Sequence, residues 1–132
     1  MKREIKFRGK RKTDGEWLYG YYFVNRGLHF IVTDGLAPAG NTFHDYEVYP
    51  ETVGQYTGMK DCNGKEIFEG DIMEIPETYV NVRLVGTVNY EHGSFSIKSP
   101  NNDREWDLCW TVREYNATVI GEIYDNPELL EL

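Results

Sequence analysis

Five acids stand close together in the middle of the chain, Asp61, Glu66, Glu69, Asp71 and Glu74, and carboxylates at that density can hold a cation or share a proton. As a calcium loop, Asp61-Cys62-Asn63-Gly64 begins with suitable residue types. The glycine comes too early, however, Lys65 stands where a ligand oxygen belongs, and no acid closes the loop. Glu69 and Asp71, two apart on a strand, would share one face at about 7 Å; any acidic surface strand offers such a pair, so glycosidase-like chemistry is not indicated. His29, His44 and His92 lie on separate segments and make no zinc set. Cys62 reads as an exposed thiol at a turn tip, and Cys109, between Leu108 and Trp110, as a core or half-buried one. With no Cys-x-x-Cys, no Gly-x-Ser-x-Gly and no phosphate loop, no catalytic residue, metal or cofactor is expected, and an enzyme is unsupported.

Charge offers a different chemistry. The first twelve residues carry seven basic side chains against Glu4, a net of +6, whereas the other 120 carry seven basic and 21 acidic residues, a net of −14. Lys2, Arg3, Lys6, Arg8, Lys10, Arg11 and Lys12 thus form a basic strip on an acidic body. Beside it in sequence run Trp17, Tyr19, Tyr21, Tyr22 and Phe23. Strand alternation with Tyr21 and Phe23 inward would leave Tyr22 outside, where an aromatic near Lys10 and Arg11 could stack on a single-stranded base. The acidic remainder opposes a polyanion, so pairing of the strip with the chain's own acidic body or with a protein partner is the preferred expectation and nucleic acid the alternative. Candidate contact residues are Lys6, Arg8, Lys10, Arg11, Lys12 and Tyr22. Aromatic strands with exposed edges also suit pairing between copies of the chain.

The elements that must position these residues are mainly strands. Ile5 and Phe7 alternate with charged neighbours, Trp17 to Phe23 are two apart, and Leu28 to Val32 follow, with turns at Thr13-Asp14-Gly15 and Asn25-Arg26-Gly27. Together they predict a β-meander over residues 1–50, with a loop from Asp34 to Phe43, a short strand from Tyr46 to Tyr49, and Pro50 closing the lobe. In residues 51–132, Asn63-Gly64 predicts a type I′ hairpin turn. Alternation recurs over Glu69 to Ile75, Val80 to Tyr90, Phe95 to Ile97 and Thr118 to Tyr124. Gly70-Asp71 heading one strand and Gly86 in the next resemble an SH3-like barrel. Ile67, Phe68, Ile72 and Ile120 are the expected core there. From Asn102 to Tyr115 the residues Trp106, Leu108, Trp110 and Val112 fall two apart, which predicts a strand with at most a turn of helix. Asn126-Pro127-Glu128 predicts a short C-terminal helical turn docking Leu129, Leu130 and Leu132. The fold class is all-β.

Three stretches also carry a family resemblance. Val53 to Met73 packs Gly54-Gln55-Tyr56-Thr57-Gly58, Asn63-Gly64 and Gly70-Asp71 between apolar positions; Arg3 to Arg11 is followed by Gly15-Glu16-Trp17-Leu18-Tyr19-Gly20-Tyr21; and Val119 to Leu130 contains Gly121. In this wording the chain resembles the YopX family, whose members belong to phages and prophages of Gram-positive bacteria. The resemblance implies a phage or prophage accessory protein and no particular activity. Its glycines read as a structural motif. With two unpaired cysteines and no signal sequence or membrane-length apolar run, the expected location is the cytoplasm.

Overall fold

A computed structural model describes residues 4–33, 43–77, 83–100 and 104–131. The expectations for Lys2 and Arg3, for 34–42, for 80–82, for Asn102, for Leu132 and for the side chain of His44 lie outside the described residues. Contacts divide the chain into two units, Met1–Tyr56 and Thr57–Leu132, where the sequence places the change at Pro50.

In the first unit β1 (Phe7–Lys10), β2 (Trp17–Asn25) and β3 (Leu28–Val32) form the expected antiparallel meander, and β4 (Gly54–Lys60) enters beside β1 through Phe7↔Gln55 and Arg8↔Gly54. Arg26 (φ 52°) and Gly27 (φ 77°) make the two-residue turn between β2 and β3, both central residues left-handed as a type I′ turn requires. The strand expected at Tyr46–Tyr49 is not formed. A 3-10 turn, Phe43–Tyr46, runs instead into isolated bridges Phe30↔Glu47 and Arg11↔Val48.

The inside of β2 is the reverse of the expected one. Leu18, Ile31, Tyr46 and Val48 make the buried cluster, with Phe7, Tyr22 and Val53 packed on it. Leu18 and Tyr22 therefore point inward, which leaves Trp17, Tyr19, Tyr21 and Phe23 on the opposite face. Tyr22 can pack on this cluster with its polar end satisfied, since its hydroxyl meets His29 Nδ1 at 2.7 Å.

The second unit holds the rest of β4, β5 (Glu66–Phe68), and an antiparallel sheet of β6 (Asp71–Ile75), β7 (Leu84–Glu91), β8 (Ser94–Lys98), β9 (Glu105–Asp107) and β10 (Thr118–Glu122), in the order β10-β6-β7-β8-β9. Strands β10 and β9 are its two edges. The sheet is open, and the SH3-like closure expected from sequence is not found among the described residues.

Residues 108–115 also correct the sequence expectation, forming the helix α1 (Leu108–Tyr115). Asp107 caps it, its Oδ2 accepting from Trp110 N at 2.9 Å, and Asn116 ends it in the left-handed region. Leu108, Thr111 and Val112 are the buried face, a helical spacing that the alternation of Trp106, Leu108, Trp110 and Val112 disguised. Leu108 and Val112 complete a core with Ile67, Met73, Ile75, Val88, Ile97 and Ala117. Phe68 and Ile72 are buried outside that cluster. Ile120 is only half-buried, because the β10–β6 register shifts between Val119 and Gly121 and makes it the extra residue of a bulge. The tail forms the expected single turn, Pro127–Leu130.

Candidate functional site

Strands β1 and β2 bring the basic strip and the aromatic row onto one face of the first unit. The register pairs Arg8 with Tyr19 and Lys10 with Trp17, so alternate residues of both strands share that face. Arg8 Cζ lies 4.8 Å and Lys10 Nζ 5.5 Å from the Trp17 ring centre, and Lys6 Nζ lies 5.1 Å from that of Tyr56. These are cation–π distances. Further along, the row is open to solvent: Tyr19, Tyr21 and Phe23 are 46%, 65% and 36% exposed. Between residues 4–6 and β2, a slot of about 290 Å³ is lined by Glu4, Ile5, Lys6, Tyr19, Gly20 and Tyr21.

The cations of the strip are engaged within their own unit. Lys6 pairs with Glu4 at 3.2 Å, Arg11 with Asp14 at 2.7 Å, and Lys12 with Glu47 at 2.7 Å, Lys12 also lying over the Tyr49 ring. The Arg11 guanidinium bonds both oxygens of Asp14 and, with the Glu16 backbone N–H, holds that carboxyl at about 2. Asp14 in turn raises Arg11, and Glu47 raises Lys12. Since the Asp14 value is depressed, whatever the pair contributes is present above the ordinary carboxylate range and disappears only as pH falls through about 2.

Of the residues singled out from sequence, Lys6, Arg8 and Lys10 come together on the aromatic face, whereas Arg11 and Lys12 turn to their acids. Tyr22 belongs to the core and is no outward stacking platform. Tyr19, Tyr21, Phe23 and Ile5 are the surface residues that sequence reasoning missed. No local signal marks them, because the parity of β2 is set by the packing of Leu18 on Ile31 and Val48.

The glycine-rich motif serves the backbone. Gly58, Gly64 and Gly70 have φ of 86°, 82° and 90°, and a Cβ on Gly121 would come within 2.7 Å of Asn126 Oδ1. Gly54 and Gln55 pair with β1, Tyr56 N donates to Lys6 O, and Thr57 Oγ1 donates to Ile67 O at 2.8 Å. The Asn63-Gly64 turn is not the expected type I′. Cys62, Asn63 and Gly64 form a three-residue loop closed by Asp61 N to Lys65 O and Gly64 N to Asp61 O, with Gly64 alone left-handed. No atom lies within 4 Å of a Cβ placed on Gly64, so Gly64→Val is expected to cost about 1 kcal/mol, through backbone strain alone, in an equilibrium unfolding titration.

The acids of this region have structural partners as well. Asp71, almost wholly buried, accepts from Phe68 N at 2.8 Å, Glu69 precedes β6 instead of sharing a strand face with it, and Glu74 bonds Arg83. Asp61 receives three backbone N–H groups, those of Asn63 and Lys65 on Oδ1 and that of Val119 on Oδ2. Cys109 is exposed, against expectation, on the outer side of α1. Among the described residues, no three His, Cys, Asp or Glu side chains gather as metal ligands, and no helix is long and apolar enough to cross a membrane.

Known proteins give the following comparisons. The family model described as YopX protein matches residues 6–131. No curated protein matches significantly. Protein EF1440 from Enterococcus faecalis, a crystal structure, is 26% identical with a TM-score of 0.62, over 98% of this chain and 100% of its own. The X-ray structure of protein yopX from Bacillus subtilis is 20% identical with a TM-score of 0.59, over 99% of this chain and 98% of its own, a likeness of fold.

Proposed function

The chain belongs to the YopX family, and from that premise we propose that it is a phage or prophage accessory protein that binds another protein through the aromatic face of β2, without catalysis. One observation carries this reading: Tyr19, Tyr21 and Phe23 form a single exposed row beside Ile5, itself half exposed, in the manner of an apolar contact patch. Lys6, paired with Glu4, and the buried Arg8 border the row, so the partner patch it fits is mainly apolar. Capture from lysogenic cells tests this. The full chain is expected to retain a protein without nucleic acid, and Tyr19→Ser with Tyr21→Ser to lose it; equal retention by both, or nucleic acid in place of protein, contradicts the proposal.

The nucleic-acid alternative is disfavoured by the pairing of Lys6, Arg11 and Lys12 with carboxylates and by the net −14 of the rest of the chain. Single-stranded DNA is expected not to bind at physiological salt. Tight binding whose log affinity falls with log salt at roughly −0.7 per contacted phosphate, and which is lost when Lys10, Arg11 and Lys12 are all replaced, would favour the alternative.

A further inference from the structure

Strand β2 outruns β1. Pairing with β1 ends at Phe7↔Gly20, whereas pairing with β3 continues from Tyr21↔Val32 to Asn25↔Leu28. Arg11 N donates to Glu16 O, so by alternation Gly9 and Phe7 also exchange bonds with β2, while Arg8 and Lys6 turn their backbone groups toward β4. Tyr56 N donating to Lys6 O agrees. The next pair due to bond across to β2 is Ile5 with Tyr22. Among the described residues, however, the backbone of Ile5 and the β1-side backbone groups of Tyr22 and Val24 meet no partner.

Bare strand edges are ordinarily blunted by charge, proline or a bulge, or are covered by another piece of chain. Tyr21-Tyr22-Phe23-Val24-Asn25 has neither charge nor proline, which leaves covering. The segment placed to cover it is the chain's own. Glu4, Ile5 and Lys6 form one wall of the slot of about 290 Å³ whose other wall is Tyr19, Gly20 and Tyr21. Counted back from Phe7↔Gly20, Lys6, Ile5 and Glu4 stand in register with Tyr21, Tyr22 and Phe23.

We infer that residues 4–6 are a strap that closes onto this edge, hinging at Lys6 and extending β1 back along β2, and that the structure holds its open form. On closing, Ile5 exchanges both backbone hydrogen bonds with Tyr22 and the slot disappears. Lys6 keeps its bond to Tyr56, which points the other way. Alternation carries the Ile5 side chain onto the face of Phe7 and Tyr22, whose ring centres lie 5.3 Å apart, so an isoleucine half exposed in the open form leaves water. Glu4 and Lys6 bring to the edge the charges it lacks. Closure also withdraws Ile5 from the row of Tyr19 and Tyr21, so the strap and a protein partner compete; this consequence rests on the proposed function, whereas closure itself does not.

Amide hydrogen exchange of the full chain alone, read residue by residue by NMR, tests the strap without any partner. The Tyr22 N–H is expected to exchange roughly tenfold or more slower than an unprotected amide. Ile5→Pro removes the Ile5 N–H and is expected to return Tyr22 toward the unprotected rate, while Phe23, whose N–H faces β3 by the same alternation, stays protected and shows that the hairpin is folded. As a second variant, Glu4→Cys with Phe23→Cys, in a chain carrying Cys62→Ser and Cys109→Ser, is expected to form an intramolecular disulfide under mild oxidation, because the closed register sets these two positions directly opposite. An unprotected Tyr22 in wild type overturns the inference, as does protection that a folded Ile5→Pro leaves unchanged, or a folded double-cysteine chain that stays reduced.

Discussion

Asp61→Ala is expected to lower the unfolding free energy by about 3 kcal/mol, the larger part of it through one bond. The Asp61 carboxylate is 6% exposed and takes the N–H groups of Asn63, Lys65 and Val119 at 2.9, 3.0 and 3.0 Å. Hydrogen bonds to a charged acceptor contribute about 1.5–3 kcal/mol each, and a donor stranded away from water costs about 1–3 kcal/mol. The three do not simply add. Asn63 and Lys65 sit in an exposed turn where water can replace the carboxylate, whereas Val119 N lies in the partly buried β10. Asp61→Asn keeps an acceptor for the turn but cannot accept from all three, and is expected to fall between wild type and alanine. Equilibrium denaturation of both variants reads this, and a loss under about 1 kcal/mol for alanine would mean that the hairpin and β10 hold together without the carboxylate.

Gly20→Ala is expected to cost about 3 kcal/mol or more through a collision that no side-chain movement relieves. A Cβ there would lie 2.2 Å from Val32 O and 2.9 Å from Val32 C. Both atoms are backbone, fixed by the β2–β3 ladder, so no side chain can swing away to relieve the clash and the strands themselves must separate. Gly64→Val, at an open position, sets the scale for conformational strain without collision. If both glycine variants unfold at the same denaturant concentration, the close approach of β3 to Gly20 is not a constraint on the fold.

Much of this architecture was legible because period-two alternation reports a strand whatever its neighbours are. β2, β6 and β7 follow from it directly. Which side of β2 faces inward does not, since Trp17, Tyr19, Tyr21 and Phe23 are more apolar in appearance than Leu18, Gly20 and Tyr22; the parity is decided by Ile31 and Val48, which only the tertiary fold brings near. The helix α1 was hidden for a related reason. Its buried face includes Thr111, whose hydroxyl donates to Asp107 O at 2.6 Å and so can be buried, yet a hydroxyl does not count as apolar in a pattern. At Asn63-Gly64 the dipeptide favours type I′, but the Asp61 side chain collects the neighbouring N–H groups and selects a three-residue loop. The basic strip was visible as a run of charge. Its pairing with Glu47 was not, and neither was the tie from Asp61 to Val119, 58 positions away, because long-range partners leave no local signature.

The central claim is that the outward row of β2 is where a protein partner sits. A photo-crosslinking side chain in place of Tyr21, in the chain expressed in lysogenic cells, tests this most directly, with Tyr90 of β7, also more than half exposed, as the control position. The account predicts a discrete adduct with a second protein from position 21 and none from position 90. Adducts of the same pattern from both positions, or crosslinks from position 21 to nucleic acid alone, would contradict it.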